Sequence, residues 1–367
     1  MHNLLTDVAS ITVGHATDLA LGSGVTAVLF DQPAVAAVSM LGGVPGERQV
    51  AMLEDGMTLD SVDAIVLAGG SSFGLDAAGG VQAALRERGR GLALGTVRVP
   101  IVSEAIIFDL ANGGNKDWGR FAPYRELGYE AAAAAADTFT LGSVGGGTGA
   151  TTAIVKGGLG SASARTAAGH IVAALVVVNA VGSPLIGDGP WFWAAPYEQS
   201  GEFGGRGWPA RIDPSLRLKG IASGTSTTIG LVATDASLTK GQAKRLAIMA
   251  HDGLARAVLP AHAPLDGDTI FAAATGMRAL AILRENSPSL AIPRRFAWRV
   301  RLAAASTKQP RFPSSPGSAP GASCSPERAG AGNAKGYVWS PGAAALRDFR
   351  LYISAEPGKA PLRTSAA

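Results

Sequence analysis

The sequence of 367 residues has a single cysteine, Cys324, and only 16% charged residues. One cysteine excludes a disulfide framework and a metal site built from several thiolates. No stretch of 18 apolar residues occurs, and the longest mostly apolar run, residues 171–180, has the length of a buried strand. The first residues lack the basic and then apolar pattern of a secretory signal. We therefore expect a cytoplasmic globular protein.

Small and apolar residues are abundant, since 47% of the chain is hydrophobic and 49 residues are glycine. A chain of this length and composition can bury a large core in one or two domains. The glycines follow no fixed period, which excludes fibrous and repeat architectures. They indicate tight backbone packing and many turns.

Charge is distributed unevenly along the chain. Residues 277–367 hold 14 Lys and Arg against 4 Asp and Glu, a balance of +10, whereas residues 1–276 hold 18 against 24, a balance of −6. The basic part also holds 10 of the 21 prolines. We expect residues 296–367 to be a largely disordered tail, with residues 277–295 unassigned. Basic and aromatic residues do not alternate there, so neither nucleic acid nor membrane is an expected partner.

Apolar periodicity predicts a mixture of strands and helices. The helix at 238–258 has the clearest amphipathic pattern. Strands are predicted at 11–13, 25–30, 35–40, 64–68, 105–110, 171–178, 229–233 and 269–274, and helices at 47–53, 75–88, 127–136 and 238–258.

A glycine-rich loop at residues 69–74 connects a predicted strand to a predicted helix. Such a loop can hold an anion at the N-terminus of the helix. However, its glycines lack the spacing of dinucleotide and phosphate loops, and no Lys-Ser or Lys-Thr pair follows. The sequence favours a tight turn over a nucleotide site.

A cluster of hydroxyl side chains, Thr225, Ser226, Thr227 and Thr228, precedes the predicted strand at 229–233. A hydroxyl is a weak nucleophile and needs an adjacent base. A threonine at a new chain terminus carries its own base, because an α-amino group titrates near about 7.7–8.0. The cluster is a candidate nucleophile site, although β-branched and capping residues are also ordinary at the start of a strand.

Two further places have side chains suited to chemistry. Asn179 follows the apolar run at 171–178, and the ends of strands often hold functional residues. Asp266 and Asp268 flank a glycine, which is compatible with a turn, a metal site or an acid pair that orients a nucleophile and balances the charge of its amine. A metal is disfavoured, because only His262 lies nearby as a further ligand.

A series of short motifs runs from about residue 4 to residue 276. It consists of Thr6-Asp-Val8, Val13-Gly-His-Ala16, the stretch 62–77, Ile106-Ile-Phe-Asp-Leu110, Gly145-Gly-Gly-Thr-Gly-Ala150, Thr225-Ser-Thr-Thr-Ile-Gly-Leu-Val-Ala-Thr-Asp-Ala236, 238–247, 249–256 and Asp266-Gly-Asp-Thr-Ile-Phe271. In this order the motifs resemble the L-aminopeptidase/D-esterase (DmpA-type) family of self-processing N-terminal nucleophile hydrolases. That family includes β-peptidyl aminopeptidases and nylon-oligomer hydrolases.

The resemblance implies an α/β fold, a four-layer α/β/β/α sandwich, in a single hydrolase domain at residues 1–276. It also implies a precursor that cuts itself between Ser226 and Thr227 into fragments 1–226 and 227–367. The cut would free Thr227 as an N-terminal nucleophile.

Matched residue by residue, the resemblance assigns Asn179 to the oxyanion hole and matches Lys156 to a lysine of the nylon-hydrolase branch. It assigns Asp266 and Asp268 to holding the nucleophile and its amine. It implies a small peptide or amide substrate, a homo-tetramer, and neither cofactor nor metal.

The predicted function is hydrolysis of amide bonds at the N-terminus of peptides or peptide-like oligomers, through an acyl-enzyme on Thr227. The alternative is a folded relative that does not mature and acts at most as a binding protein. Two departures from the family support that alternative: Ser226 stands where the family usually has Asn or Gly, and the motifs stop at Gly276.

Overall fold

The computed structural model of the protein describes residues 1–199, 201–212, 215–219 and 226–280. Thr225 of the hydroxyl cluster, the predicted disordered tail at 296–367 and most of residues 277–295 lie outside the described residues.

The described part of the chain contains eleven strands and three α-helices. The strands are β1 (Ile11–Asp18), β2 (Ser23–Met40), β3 (Glu47–Arg48), β4 (Ser61–Ala68), β5 (Leu92–Leu94), β6 (Val97–Val99), β7 (Val102–Ile106), β8 (Gly158–Arg165), β9 (Ile171–Asn179), β10 (Thr227–Ala236) and β11 (Thr269–Arg278), and the helices are α1 (Ala77–Glu87), α2 (Tyr124–Ala133) and α3 (Lys240–Ala257).

Nine of these strands form one mixed sheet, in the order β3-β7-β4-β2-β11-β10-β9-β8 with β1 paired to β2. The long strand β2 belongs to both halves of this sheet. Its first part pairs with β1 and β4, and its second part pairs with β11. The register between β2 and β4 shifts between Leu29 and Ala34, where the strand passes from one half to the other.

The two halves of the sheet face each other across the main core. Alternate side chains of strands from both halves fill this core, which includes the fully buried Phe30, Leu175 and Phe271. Helices α1 and α2 cover the outer face of one half, and α3 covers the outer face of the other. The order helix, sheet, sheet, helix confirms the predicted four-layer α/β/β/α sandwich.

Most predicted elements are present, and the apolar run at 171–178 and the amphipathic pattern at 238–258 correspond to β9 and α3. The side chain of Thr239 caps α3 by accepting a hydrogen bond from Gln242 N. The helix predicted at 47–53 is wrong, because residues 47–48 form β3 and residues 51–53 a single 3-10 turn. Gln49 between them has φ +57°, a left-handed conformation that an α-helix cannot include.

The glycine loop at 69–74 is a tight turn that packs against its own protein. Gly70 has φ +86°, and a Cβ atom there would lie 2.1 Å from the Tyr124 ring. Its N–H donates to Asp109 Oδ1 at 2.8 Å, so an internal carboxylate takes the place of an external anion. In the described ranges, no helix is both long enough and apolar enough to cross a membrane.

Candidate active site

The candidate site lies where three adjacent strands of the sheet meet at one end. Thr227, the first residue of β10, is the antiparallel partner of Asn179, the last residue of β9. Ser226 forms a parallel bridge with Asp266, just before β11. The structure therefore brings together four of the residues that the sequence indicated, and all four are buried.

The peptide between Ser226 and Thr227 has an unusual environment. Thr227 Oγ1 donates a hydrogen bond to Ser226 O at 2.5 Å, and Gly267 N donates to the same oxygen at 3.1 Å. Two donors on one carbonyl oxygen polarise the carbonyl and prepare its carbon for attack. The hydroxyl of Thr227 and the N–H of Gly267 thus converge on one peptide group.

Gly267 lies in the candidate site, although the sequence indicated it only as the middle of a turn. A Cβ atom at this residue would lie 2.5 Å from Thr227 Oγ1 and 2.9 Å from Val44 O. Only glycine therefore allows the backbone to approach the threonine hydroxyl so closely.

Asp268 is a buried carboxyl group that accepts hydrogen bonds from two backbone N–H groups. Its Oδ1 accepts from Thr228 N at 2.7 Å, and its Oδ2 accepts from His262 N at 2.9 Å. His262 Nδ1 lies 2.8 Å from the same Oδ2. The carboxylate therefore fixes the backbone directly after Thr227.

Asp266 has the opposite environment. It is fully buried, and its Oδ1 accepts one long bond, 3.2 Å, from Gly267 N. Burial, and next the proximity of Asp268, raise the pKa of Asp266 to about 8. At neutral pH this carboxyl group is mostly protonated. Among the described residues, no group of three or more His, Cys, Asp or Glu is arranged to hold a metal ion.

Asn179 is fully buried, and its contacts define how its amide is oriented. Thr151 N and Lys219 Nζ donate to its Oδ1 at 3.0 and 2.8 Å, and its Nδ2 donates to Phe108 O at 3.1 Å. Donors on one side and an acceptor on the other identify the amide oxygen and nitrogen. The nitrogen of a side-chain amide is a donor of the kind that can stabilise an oxyanion.

Lys156 lies beside the site and bonds to backbone. Its Nζ donates to Thr148 O at 2.8 Å and to Ala150 O at 2.6 Å. Burial lowers the pKa of Lys156 to about 8, and the charge of Asp109 opposes this shift. In the described part of the chain, its ammonium group holds the 148–150 loop and not the hydroxyl of Thr227.

Lys219 is a site residue that the sequence analysis missed. Its backbone N–H donates to Val181 O at 2.8 Å, and its Nζ donates to Thr151 O at 3.0 Å and to Asn179 Oδ1 at 2.8 Å. Burial lowers its pKa to about 8. It follows the aperiodic loop at 182–218, and its only signal in the sequence was a basic side chain shortly before the hydroxyl cluster.

The fold and this site define a class of protein. The four-layer sandwich is shared with solved structures of aminopeptidases. An L-aminopeptidase D-Ala-esterase/amidase from Ochrobactrum anthropi, described as a variant of the Ntn (N-terminal nucleophile) hydrolase fold, superposes with a TM-score of 0.57 at 21% identity over 83% of this chain and 85% of that chain. A β-aminopeptidase from Burkholderia sp. superposes with a TM-score of 0.58 at 25% identity over 83% and 85%.

The sequence model of Peptidase family S58 matches residues 3–307, and the chain belongs to this family. An uncharacterised aminopeptidase of Mycobacterium tuberculosis is 44% identical over 287 residues, which cover 75% of this chain and 82% of that relative. A 6-aminohexanoate-oligomer endohydrolase of Kocuria sp. is 29% identical over 276 residues, which cover 73% and 74%. The protein is therefore an enzyme of the peptidase class, and the family match continues past Gly276, where the motifs of the sequence analysis end.

Proposed function

We propose that the protein is a self-processing aminopeptidase or amidohydrolase that hydrolyses amide bonds through an acyl-enzyme on Thr227. The observation that carries the proposal is the contact of Thr227 Oγ1 with Ser226 O, to which Gly267 N also donates. A nucleophile in contact with its own preceding carbonyl is suited to cutting that peptide. Residues 1–276 would form a single hydrolase domain around this site.

Self-cleavage would begin with attack of Thr227 Oγ1 on the carbonyl carbon of Ser226. Gly267 N–H would stabilise the negative charge that develops on the oxygen. When the C–N bond breaks, the nitrogen of Thr227 takes up the proton that the attacking hydroxyl has lost and becomes an amine, and the acyl group of Ser226 remains as an ester on Thr227 Oγ1. Water then hydrolyses the ester, which releases fragment 1–226 with a carboxylate terminus and leaves Thr227 with a free α-amine.

In the mature enzyme the α-amine of Thr227 would accept the hydroxyl proton during attack on a substrate amide. Asn179 Nδ2 is placed on the strand opposite and would donate to the oxyanion. Asp268 would balance the charge of the ammonium group, and the protonated Asp266 would donate to the departing amine. Lys156 would keep the adjoining 148–150 loop in place.

The family indicates the class of substrate. Relatives carry the names aminopeptidase and 6-aminohexanoate-oligomer endohydrolase, and both activities act on amides. We propose a small peptide with a free amino terminus, or a peptide-like oligomer, as the substrate. The cytoplasmic location, the homo-tetramer, and the absence of cofactor, metal, nucleic-acid and membrane partners stay predictions.

The alternative of a non-maturing binding protein is not favoured. It depended on Ser226 in place of Asn or Gly, yet the contacts of the Ser226–Thr227 peptide involve the carbonyl of Ser226 and not its side chain. Any residue supplies that carbonyl, so Ser226 is compatible with the cut.

The proposal predicts two fragments from the purified chain, the second beginning Thr-Thr-Ile-Gly-Leu-Val. Intact mass spectrometry and N-terminal sequencing measure this directly, and a screen of aminoacyl p-nitroanilides, amides and amide oligomers then measures hydrolysis. N-acetylated aminoacyl p-nitroanilides serve as controls, because an aminopeptidase requires the free amine. A persistent 37.0 kDa chain without hydrolytic activity would support the binding-protein alternative.

Replacing Lys219 by methionine is expected to lower kcat by about tenfold or more, the scale of one lost charge-assisted hydrogen bond. Methionine fills the space but leaves Asn179 Oδ1 without its charged donor, so the amide loses its fixed orientation. Lys219→Arg should retain most of the activity. Steady-state kinetics of the processed enzyme measure the difference.

The matched control is Lys244→Met, which removes the pairing with Glu54 away from the site. This variant should keep its turnover. If Lys219→Met turns over like the wild type, Lys219 has no role in orienting Asn179.

A further inference from the structure

We propose that Asp109 is a positioning residue for Asn179: it anchors the two backbone segments that hold the Asn179 amide from opposite sides. The inference rests on the proposed function, in which Asn179 donates to the oxyanion. It gives a task to a buried acid that has no part in the proposed chemical steps.

The carboxyl group of Asp109 is fully buried and accepts a hydrogen bond on each oxygen. Ser23 Oγ donates to Oδ2 at 2.6 Å, and Gly70 N donates to Oδ1 at 2.8 Å. The hydroxyl of the fully buried Tyr124 in turn donates to Ser23 Oγ at 3.1 Å. Donors on separate oxygens fix the orientation of a carboxyl group. Asp109 is therefore a fixed point shortly after β7.

The first of the two segments is the chain on either side of Asp109, residues 108–112. Asn179 Nδ2 donates to Phe108 O at 3.1 Å, and Phe108 directly precedes Asp109. On the other side, Asn112 N donates to Asp109 O at 3.1 Å, and Asn112 Nδ2 donates to Gly149 O at 2.6 Å. This segment therefore contacts both the nitrogen of the Asn179 amide and the second segment.

The second segment is the glycine loop at residues 145–151, which packs against the carboxyl group of Asp109. A Cβ atom at Gly149 would lie 2.5 Å from Asp109 Oδ2 and 2.6 Å from Asp109 Cβ. Only glycine allows the loop to approach the acid so closely. Two residues later, Thr151 N donates to Asn179 Oδ1 at 3.0 Å. The oxygen of the Asn179 amide is thus held by a loop that rests on Asp109.

The Asn179 amide has one orientation that satisfies both segments. Thr151 N needs an acceptor and Phe108 O needs a donor, so a rotated amide would lose both bonds. A catalytic group has to be held within about 0.5 Å of its productive position. A shift of either segment away from Asp109 would loosen the amide by that much, and the proposed oxyanion donor would be displaced.

The charge of Asp109 supports the same amide. Burial raises the pKa of Asp109, whereas its hydrogen bonds and the charge of Lys116 oppose that shift. Burial lowers the pKa of Lys219 to about 8, and the charges of Asp266 and Asp109 oppose that shift. Lys219 Nζ donates to Asn179 Oδ1 at 2.8 Å. A negative charge on Asp109 therefore favours the charged form of this donor.

Three variants separate this role from a general loss of stability. Asp109→Asn keeps the size of the side chain but removes its charge and replaces one acceptor oxygen by a donor. Ser23→Ala is a milder change that removes the donor to Asp109 Oδ2. Asp63→Asn is the matched control, since Asp63 is a buried acid of β4 whose Oδ2 accepts from Ile101 N at 2.8 Å.

The first measurement is a double-mutant cycle with Asn179→Ala, with rates normalised to the processed fraction. We expect Asp109→Asn to lower kcat by about 10–100-fold and to leave KM within about twofold, because an oxyanion donor acts on the transition state. In the Asn179→Ala background the same change should cost less than about twofold, since the residue through which Asp109 acts is gone.

The control and the milder variant complete the cycle. Asp63→Asn should keep the wild-type kcat. Ser23→Ala should lower kcat by about three- to tenfold, the scale of one lost hydrogen bond, and only when Asn179 is present. It replaces Asp109→Asn in the cycle if that variant does not fold. Equal losses with and without Asn179, or an equal loss in Asp63→Asn, would overturn the inference.

The second measurement is independent of catalysis. The side-chain amide signals of Asn179 are recorded by ¹⁵N NMR in uncut Thr227→Ala protein and assigned by their absence after Asn179→Ala. Adding Asp109→Asn should speed the exchange of these hydrogens with solvent by at least about tenfold, whereas Asp63→Asn should not. Unchanged exchange contradicts the role of Asp109 even if the enzyme is active. Faster exchange, when the wild-type chain never cleaves itself, supports that role and contradicts the proposed function.

Discussion

Replacing Thr227 by alanine is expected to abolish both self-cleavage and hydrolysis, a loss of at least about 10⁴-fold, the scale of removing a nucleophile from a catalytic unit. The neighbouring hydroxyl cannot take its place. Side chains alternate along β10, and Ile229 and Leu231 face the core between the two halves of the sheet, whereas Val232 faces α3. Thr227 therefore faces inward, and Thr228 faces the opposite side. Gel bands and initial rates measure the loss.

Thr227→Ser and Thr227→Cys should retain part of both activities, because each keeps a nucleophile next to the same amine. Thr228→Ala is the control, since it keeps the N–H that Asp268 accepts. Circular dichroism should show an unchanged fold in all these variants. Full hydrolysis by the alanine variant, or a cut at another residue of the cluster, would reject Thr227 as the nucleophile.

Replacing Asp268 by asparagine is expected to lower kcat by about 10²–10⁴-fold, the scale of a lost acid–base contribution. Asparagine is uncharged, and its NH₂ group can face the backbone N–H groups of Thr228 and His262, which need an acceptor. The ammonium group of Thr227 also loses its counter-charge, so its pKa falls and the acid limb of the mature enzyme's pH–rate profile moves to lower pH.

Asp266→Asn should cost less below pH 8, because Asp266 has a pKa of about 8 and is already uncharged there. Above pH 8 the activity of the wild type should fall, because the ionised Asp266 can no longer donate a proton. The pH–rate profile of the Asn variant should lack this alkaline decline. Rates are normalised to the processed fraction, measured on gels. Equal effects of the two substitutions would contradict the proposal that Asp266 and Asp268 carry different charges. Near-normal turnover in both variants would show that the two residues only shape a turn.

The sequence predicted the ends of the strands better than the contacts between them. The sequence indicated Thr227 and Asn179 as candidates because each lies where an apolar run begins or ends. Such boundaries depend on local composition and can be predicted from it. Their pairing across β9 and β10 depends on the path of the intervening loop, which has no periodicity. The family resemblance, and not the residues themselves, placed Asp266 and Asp268 in the same site.

The positions that the sequence missed depend on tertiary geometry. In the sequence, Lys219 looks like any basic residue of a surface loop. Only the folded structure brings its ammonium group to Asn179 Oδ1. Glycine is needed at 267 because the backbone there lies close to Thr227 Oγ1. This contact is tertiary, so the local sequence does not reveal it. The helix predicted at 47–53 does not form because Gln49 has a positive φ. Its neighbours Glu47 and Arg48 pair with β7, and this tertiary pairing overrides the local helix propensity.

The order of strands gives the proposed cut a thermodynamic consequence. β10 and β11, which would belong to the second fragment, lie between β9 and β2 of the first. Two separate polypeptides would then share one continuous ladder of hydrogen bonds, and unfolding would change from a unimolecular to a bimolecular process. Its midpoint would come to depend on protein concentration. Reassembly would require β10 and β11 to insert as a pair between two exposed edges, which are surfaces prone to aggregation. Maturation would thus convert a chain that can refold alone into a complex whose persistence is kinetic.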